Sequence, residues 1–314
     1  MKKNSKIYIA VHEGCLGRAI VKKLQEKGFS NLLLKKLDLT SQRKVESFFQ
    51  KEKPEYVFLP AAKTGGIFAN SSYPADFIYQ NLASEINIIH SAFKYGTKKM
   101  LYLGSACSYP KICKQPIKEE YLLQTPLEPT NEPYAIAKIA GIKMCQSYNR
   151  QYKINFICAI PTNFYGSEDD FTKGGHVISC LIRKFHEEKA KKSGTVKIWG
   201  TGKPKREFLF VDDVAEACIF LMENYDSPEL INIAGGYELS IKKLAETLKK
   251  ISGFQGKIVY ETDKPDGMPR RLLDSTNISN LGWRPKTSFL EGLKLTYEWY
   301  EKNHRKPSFH RKRR

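Results

Sequence analysis

The chain has 314 residues, of which 41% are hydrophobic and 27% charged, and this is enough to bury a core in one or two domains. Its seven cysteines are scattered without a C-x-x-C pair, which argues against a disulfide framework or a zinc site and favours the reducing cytoplasm. The net charge of +19 would suit nucleic acid, but no nucleic-acid-binding motif, no apolar run of membrane-spanning length and no signal peptide are visible.

The first 165 residues alternate short apolar runs with longer amphipathic ones. The strand-like runs are residues 6–10, 31–39, 56–62, 99–106 and 155–166. The helix-like runs between them are residues 18–27, 40–53, 75–96 and 135–152. This alternation predicts an α/β fold in which a doubly wound parallel sheet is covered by helices on both faces. Because ligands of such sheets bind beyond the carboxyl ends of the strands, we expect functional residues just after each strand.

The turn after the first strand reads VHEGCLG, residues 11–17. Its spacing fits a G-x-x-G-x-x-G nucleotide-binding turn, except that Val11 occupies the first glycine position. Gly14 and Gly17 remain where the backbone approaches a pyrophosphate and where the helix packs against the strand. A side chain at the position of Val11 costs strain without blocking the ligand. The turn therefore predicts a dinucleotide site.

A tyrosine and a lysine at helical spacing, Tyr134 and Lys138, form the strongest chemical motif. Positions i and i+4 share a helix face, so Lys138 would favour the phenolate of Tyr134 and lower its pKa. A tyrosine tuned in this way can exchange a proton with a carbonyl oxygen near neutral pH. Ser105, just after the fourth strand, could hydrogen-bond the same carbonyl. The plainer alternatives are an ordinary surface pair and a serine that caps a turn.

After residue 166 the pattern becomes more irregular and suits a smaller α/β domain. We predict a Rossmann-type dinucleotide-binding domain from residues 1–165 and about 207–235, and a substrate-binding domain from about 166–206 and 236–301. The last residues, 302–314, hold seven lysines or arginines and no acid, which predicts a disordered, solvated tail. The remaining positive charge would attract an anionic small substrate as well as it would attract nucleic acid. Because no nucleic-acid-binding motif is visible, nucleic acid is not the expected partner.

The order of these motifs resembles the layout of extended short-chain dehydrogenases/reductases. More narrowly, the chain resembles the GDP-L-fucose synthase family, whose members epimerise GDP-4-keto-6-deoxy-D-mannose at C3 and C5 and then reduce it at C4. The resembling stretches are residues 61–70, 73–81, 103–111, 127–152, 161–166, 176–187, 199–213 and 264–274. They extend over nearly the whole chain except its C-terminal end.

The resemblance implies that Cys107 and His176 carry out the epimerisation. A 4-keto group acidifies the protons at C3 and C5, and inversion needs a base on one face and an acid on the other. A thiolate and an imidazolium can fill these roles near neutral pH. Without the resemblance, a buried cysteine and a structural histidine would be the simpler interpretations. In the reduction, Tyr134 would protonate the C4 oxygen and Ser105 would stabilise it.

The resemblance also implies contacts with NADP and with a GDP-sugar. The cofactor-binding residues would be Val11, Gly14, Gly17, Lys35, Lys36, Leu103, Gly104, Ala106, Lys138, Pro161, Thr162, Asn163, Phe164 and His176. The substrate-binding residues would be Lys184, Trp199, Arg206 and Asp266, with Arg270 and Arg271 as further pyrophosphate candidates. Glu13 replaces a usual basic residue and would repel a 2′-phosphate, whereas Lys35 and Lys36 would attract it. NADP is therefore favoured, and NAD is an alternative.

Two other functions remain open at this point. One is the same chemistry on another GDP-4-keto sugar, such as a 6-deoxyheptose. The other is a cofactor-impaired binding protein whose basic tail contacts nucleic acid or an anionic surface, as Val11 and Glu13 suggest. The presence of both the epimerisation and the reduction residues favours the enzyme. The resemblance further implies a homodimer, and no metal site is expected.

Overall fold

The computed structural model describes residues 1–60, 63–172, 175–264, 266 and 268–304. Within these residues the largest sheet is six-stranded and parallel, with the order β2–β1–β3–β4–β5–β9. Its strands are β1 (Ile7–Ile9), β2 (Leu32–Leu33), β3 (Tyr56–Leu59), β4 (Lys99–Leu103), β5 (Asn155–Pro161) and β9 (Leu230–Ile233). The strand order reverses between β1 and β3, and the carboxyl ends of strands at such a point form a crevice for ligands.

Helices cover both faces of this sheet. They are α1 (Cys15–Glu26), α2 (Gln42–Glu52), α3 (Ile67–Ser72), α4 (Pro74–Lys94), α5 (Glu132–Tyr152) and α7 (Val211–Asn224). One core joins α1 and α7 to the sheet, and the other joins α2, α4 and α5 to it. Successive residues of β4 show the alternation, since Leu101 enters the first core and Tyr102 the second. The predicted parallel sheet with two covered faces is confirmed.

The rest of the chain builds two smaller sheets. The strands β6 (Asn163–Tyr165), β10 (Glu238–Ser240) and β12 (Arg270–Arg271) all belong to the sheet around β8 (Lys205–Phe210). A separate parallel pair is formed by β7 (Thr195–Trp199) and β11 (Lys257–Glu261). The helices of this part are α6 (Val177–Ala190), α8 (Ile241–Ser252), α9 (Thr276–Asn280) and α10 (Phe289–Asn303). A third hydrophobic core packs α6, α8 and α10 against these strands.

Buried polar side chains join the sheet around β8 to the large parallel sheet. Glu207 of β8 is fully buried, and its carboxylate accepts hydrogen bonds from the backbone N–H groups of Gly235, Gly236 and Leu273 at 2.7–3.1 Å. Asn232 of β9 is also buried, and its amide oxygen accepts a hydrogen bond from the Tyr109 hydroxyl at 2.6 Å. These bonds fix the relative positions of segments that are distant in the sequence.

Two sequence-based boundaries need correction. Only Leu32–Leu33 of the predicted strand 31–39 pairs as a strand, and the chain then leaves the sheet toward a turn in which Asp38 accepts a hydrogen bond from Thr40 N. The predicted tail begins too early at 302, since α10 includes Asn303, whose side-chain amide donates to Trp299 O at 2.8 Å. Residues 305–314 lie outside the described residues. Among the residues that are described, none of the helices combines the length and apolarity needed to cross a membrane.

Candidate active site

A cavity of about 800 Å³ lies at the carboxyl ends of β1, β3, β4 and β5. Its wall comes from segments that are far apart in the sequence but follow strands, as expected for a doubly wound sheet. The segments are the turn after β1, the loop after β4, the start of α5, the stretch from β6 to α6, and parts of residues 206–271. The size is that of a pocket for a cofactor or a large metabolite.

The turn after β1 is built around one residue with left-handed backbone geometry. Val11 has a φ of 55°, and its carbonyl accepts a hydrogen bond from Gly14 N at 3.0 Å. A Cβ at Gly17 would lie 2.3 Å from Val11 O and 2.7 Å from His12 Cα, so the turn accepts only glycine there. Val11, Gly14 and Gly17 all line the cavity. The strain falls on Val11, because a β-branched side chain is disfavoured at this φ.

Ser105 and Tyr134 face the same cavity from the loop after β4 and the start of α5. The Ser105 hydroxyl also accepts a hydrogen bond from Cys107 N at 3.3 Å and caps the short helical turn Ala106–Ser108. Burial raises the pKa of Tyr134, and its hydrogen bond with Ser105 opposes this shift. The structure therefore does not have the lowered pKa that the sequence predicted.

Lys138 pairs with a residue other than Tyr134. Its Nζ lies 2.9 Å from Glu85 Oε1 of α4 and 4.5 Å from the centre of the Tyr102 ring. The Lys138 side chain is fully buried and is not part of the cavity wall, although it lies one helical turn after Tyr134. Its charge is thus compensated by Glu85, a residue that the sequence analysis did not identify.

The sulfur of Cys107 lies among hydrogen-bond donors. Asn131 Nδ2 is 3.1 Å from Sγ and Arg271 Nη1 is 3.5 Å from it. Arg271 is buried, its other terminal nitrogen contacts Met268 Sδ, and its Nε has no hydrogen-bond partner among the described residues. The sequence suggested Arg271 as a pyrophosphate ligand and missed Asn131.

His176 is the residue immediately before α6, at the end of the loop that follows β6. Its Nδ1 lies 3.6 Å from Oδ1 of Asp169, whose side chain is 7% exposed. The interaction with Asp169 raises the pKa of His176, with partial desolvation opposing it and Asp170 adding to it. His176 and Asp169 both line the cavity. The sequence analysis identified His176 but not its acidic partner.

Most of the proposed cofactor contacts line the cavity, and four do not: Lys35, Lys36, Leu103 and Lys138. The segments after β4 and β5 contribute Gly104, Ala106, Pro161, Thr162, Asn163 and Phe164. Leu103 is instead buried within β4. Lys35 and Lys36 line a separate cavity of about 690 Å³ beside α2. Lys36 Nζ lies 2.6 Å from Glu13 Oε2, and this contact lowers the pKa of Glu13.

The expected substrate residues divide into two groups. Arg206 and Asp266 line the cavity, and burial together with the nearby Arg271 lowers the pKa of Arg206 to about 10. Lys184 and Trp199 lie outside the wall of this cavity, and their contact with the substrate stays a prediction. The ammonium of Lys184 donates to Lys197 O at 2.9 Å, and the Trp199 ring on β7 is 57% exposed.

Two further expectations from the sequence concern Arg270, as a candidate pyrophosphate ligand, and metal binding. The Arg270 Nε lies 2.8 Å from Glu238 Oε2, and this arginine lies outside the cavity wall. Arg271 is therefore the member of the pair that reaches the site. Among the described residues no group of three or more His, Cys, Asp or Glu side chains is placed to hold a metal ion.

Comparison with known proteins agrees with this geometry. Residues 7–234 match the NAD dependent epimerase/dehydratase family. GDP-L-fucose synthase 1 of Arabidopsis thaliana is 54% identical over 305 residues, which cover 96% of this chain and 94% of the relative. The chain belongs to the GDP-L-fucose synthase group of this family. The resemblance found in the sequence is thereby confirmed.

Two solved structures from Campylobacter jejuni share the fold over nearly the full length. The GDP-6-OMe-4-keto-L-xylo-heptose reductase is 41% identical, with a TM-score of 0.91 and coverage of 96% of this chain and 99% of the other. The GDP-mannoheptose C4 reductase with NADP bound is 44% identical, with a TM-score of 0.87 and the same coverage. Both of these structures are described as reductases of GDP-heptoses.

Proposed function

We propose that the protein converts GDP-4-keto-6-deoxy-D-mannose to GDP-L-fucose by C3 and C5 epimerisation and then NADPH-dependent reduction at C4. The observation that carries this proposal is one cavity that holds two sets of residues. Cys107 and His176 form the set for epimerisation, and Ser105 and Tyr134 form the set for reduction. The kinship with GDP-L-fucose synthases supports the same reaction.

In the epimerisation, Cys107 is the base and His176 is the acid. The thiolate of Cys107 takes the proton from C3 or C5, and the electron pair moves into the 4-keto group as an enolate. His176 then gives its proton to the same carbon on the opposite face, which inverts the centre. The donors Asn131 and Arg271 support the negative sulfur before the proton transfer.

In the reduction, Tyr134 is the proton donor and Ser105 holds the C4 oxygen. The cofactor supplies the hydride when it is bound. Because burial raises the pKa of Tyr134, the phenol stays protonated and ready to donate at neutral pH. The fit of a dinucleotide rests on the turn after β1, where Gly17 leaves no room for a Cβ and the N-terminus of α1 opens into the cavity.

We propose NADP as the cofactor, with Lys35 and Lys36 near its 2′-phosphate. Glu13 does not stand alone as a repelling charge, because Lys36 pairs with it. The NADP bound to the GDP-mannoheptose C4 reductase supports this choice. Lys138, which the sequence placed beside the cofactor, acts in this proposal from beneath the cavity, where it supports the start of α5.

We propose that Arg206 binds the pyrophosphate of the GDP-sugar, with Asp266 close by. Arg206 is largely desolvated at the cavity wall, where an anionic ligand would restore favourable interactions for its guanidinium. Reduction or epimerisation of another GDP-4-keto sugar, such as a heptose, is the second candidate. The two heptose reductases of closely similar fold favour it.

We propose a cytoplasmic homodimer with a cofactor domain at residues 1–165 and about 207–235, and a substrate domain at about 166–206 and 236–301. The scattered free cysteines support the location. Exposed apolar residues on α4 and α5, among them Tyr79, Ile86 and Ile136, support self-association through these helices. Light scattering of the wild type and of Ile86→Lys tests the dimer, which the lysine should weaken.

The decisive experiment gives the protein GDP-4-keto-6-deoxy-D-mannose in D₂O with NADPH, with NADH or without cofactor. We expect deuterium at C3 and C5 in every case and GDP-L-fucose only with a cofactor, preferably NADPH, as identified by NMR. A GDP-4-keto-6-deoxyheptose run in parallel ranks the two substrates. Absence of saturable binding of either dinucleotide would contradict the enzyme and favour the binding-protein alternative.

A further inference from the structure

The carboxylate nearest to His176 belongs to Asp169, in the loop between β6 and α6. The His176 Nδ1 and the Asp169 Oδ1 lie 3.6 Å apart at the wall of the cavity. The Asp169 side chain is almost completely buried while the imidazole is 46% exposed. The aspartate is thus behind the histidine, and the histidine faces the open cavity.

Both oxygens of Asp169 are held by other groups. Asp170 N donates to Oδ1 at 2.8 Å, and the buried Ser179 hydroxyl donates to Oδ2. Ser179 lies in the first turn of α6, three residues after His176. The helix that follows His176 therefore also anchors the carboxylate that faces this histidine. A carboxylate whose oxygens are fixed can hold the neighbouring imidazole in one orientation, whereas a mobile carboxylate on the surface cannot.

The charges around His176 favour its cationic form. Asp169 and Asp170 face it from the loop, and both raise the pKa of His176. Two thiols interact with Asp169, Cys180 on α6 and Cys15 at the start of α1, and burial raises the pKa of each. Those thiols are neutral near pH 7, so the aspartates dominate the local field.

We propose that Asp169, held by Ser179, is a positioning residue that orients His176 and keeps its imidazolium ready to act as the acid of the epimerisation. This rests on the function proposed above. In this proposal the carboxylate, which lies 3.6 Å from Nδ1, pairs with the protonated Nδ1 and leaves Nε2–H as the donor to the substrate. The Nε2 proton passes to the enolate carbon, the C–H bond forms there, and the neutral imidazole regains a proton from water.

The first test needs no substrate. Titration of His176 by NMR in histidine-labelled protein, assigned with His176→Asn, should give a lower pKa in Asp169→Asn than in the wild type. Ser179→Ala should shift it less, in the same direction. Glu188→Gln is the matched control, because Glu188 lies on the same helix and pairs with Lys191 on the surface. An unchanged titration of His176 in Asp169→Asn would overturn the proposal.

The second test follows deuterium uptake at C3 and C5 against pH without NADPH. The rate should fall as pH rises through the pKa of His176, and in Asp169→Asn this fall should come at lower pH. At neutral pH the variant should exchange about tenfold more slowly or worse, with unchanged NADPH affinity. Equal losses of exchange, NADPH binding and thermal stability would contradict positioning. Failure of the wild type to exchange would refute the function and leave the titration result standing.

Discussion

Lys138 and Glu85 form an ion pair in the interior, with each side chain only 1% exposed and 2.9 Å between Nζ and Oε1. The two residues come from α5 and α4, which pack side by side beneath the cavity. The Tyr102 hydroxyl donates to Lys138 O at 3.2 Å and so fixes the same turn of α5. Tyr134 lies one turn earlier, so the ion pair holds the segment that presents the phenol to the cavity.

Breaking this pair should cost stability. Glu85→Gln leaves the Lys138 charge buried without a counter-charge, which we expect to lower the free energy of unfolding by about 3–5 kcal/mol in urea titrations. Glu46→Gln is the control, because Glu46 forms an exposed ion pair with Lys94 that contributes little. Equal stability of the Glu85 variant and the wild type would contradict the central role of the pair.

Replacement of the two proposed catalytic groups should separate the two reactions. Tyr134→Phe removes the proton donor of the reduction, so NADPH oxidation should fall by about 10²–10⁴-fold while deuterium still enters C3 and C5. Cys107→Ser should slow deuterium uptake first, and NMR of the recovered GDP-sugar measures it. Normal exchange in Cys107→Ser would show that the base is a different residue.

Arg271 is expected to act on Cys107. A guanidinium 3.5 Å from the sulfur stabilises the thiolate that removes the substrate proton, so Arg271→Met should slow exchange at saturating substrate. We expect a loss of about tenfold or more, measured as deuterium uptake by NMR. The neighbouring Arg270→Met is the control, because Arg270 pairs with Glu238 outside the cavity. The same rate in both variants would refute this role.

The first turn offers a stabilising substitution. Val11→Gly removes a side chain from a residue with φ 55°, and the relief of strain should exceed the added entropy of the unfolded chain by about 1 kcal/mol. Thermal unfolding measures the gain. Gly17→Ala has the opposite effect, because its Cβ would overlap Val11 O and His12 Cα. It should weaken NADPH binding, and unimpaired fluorescence titration of that variant would contradict the geometry.

Cofactor choice should respond to Glu13. Glu13→Gln removes one negative charge and releases Lys36 from its ion pair, so NADPH affinity should rise severalfold. NADH lacks the 2′-phosphate and provides the internal control, since its affinity should hardly change. Fluorescence titration with both dinucleotides gives the two constants. A loss of NADPH affinity would mean that Glu13 assists the cofactor directly.

The predicted residues that lie at the cavity wall come from local sequence patterns. The turn at Val11, the serine after the fourth strand and the tyrosine on its helix each follow from a short segment with a characteristic spacing. The residues that were missed act through tertiary pairing. Glu85 lies 53 positions from Lys138, and Asn131 lies 24 from Cys107, so no sequence period reveals either contact.

The error at Lys138 has the same origin. An i, i+4 spacing predicted that Lys138 would face Tyr134, but the neighbouring helix supplies a buried acid and attracts the ammonium away. Lys184 also has a partner that its sequence position does not reveal, since its ammonium donates to a carbonyl on β7, while its contact with the substrate stays a prediction. In both cases the long lysine side chain pairs with an oxygen that comes close only in the folded chain.

The segment around Arg271 forms one wall of the cavity and is the last part of the site to be synthesised. Ile117 bridges to Leu273, and Asp274 N donates to Ile117 O at 2.8 Å, which brings Arg271 against Cys107 across 164 positions of sequence. During translation, the strands of the central sheet up to β9 are synthesised before this segment. A nascent chain can therefore complete its nucleotide-binding sheet first, and it becomes competent for epimerisation only when synthesis has passed residue 274.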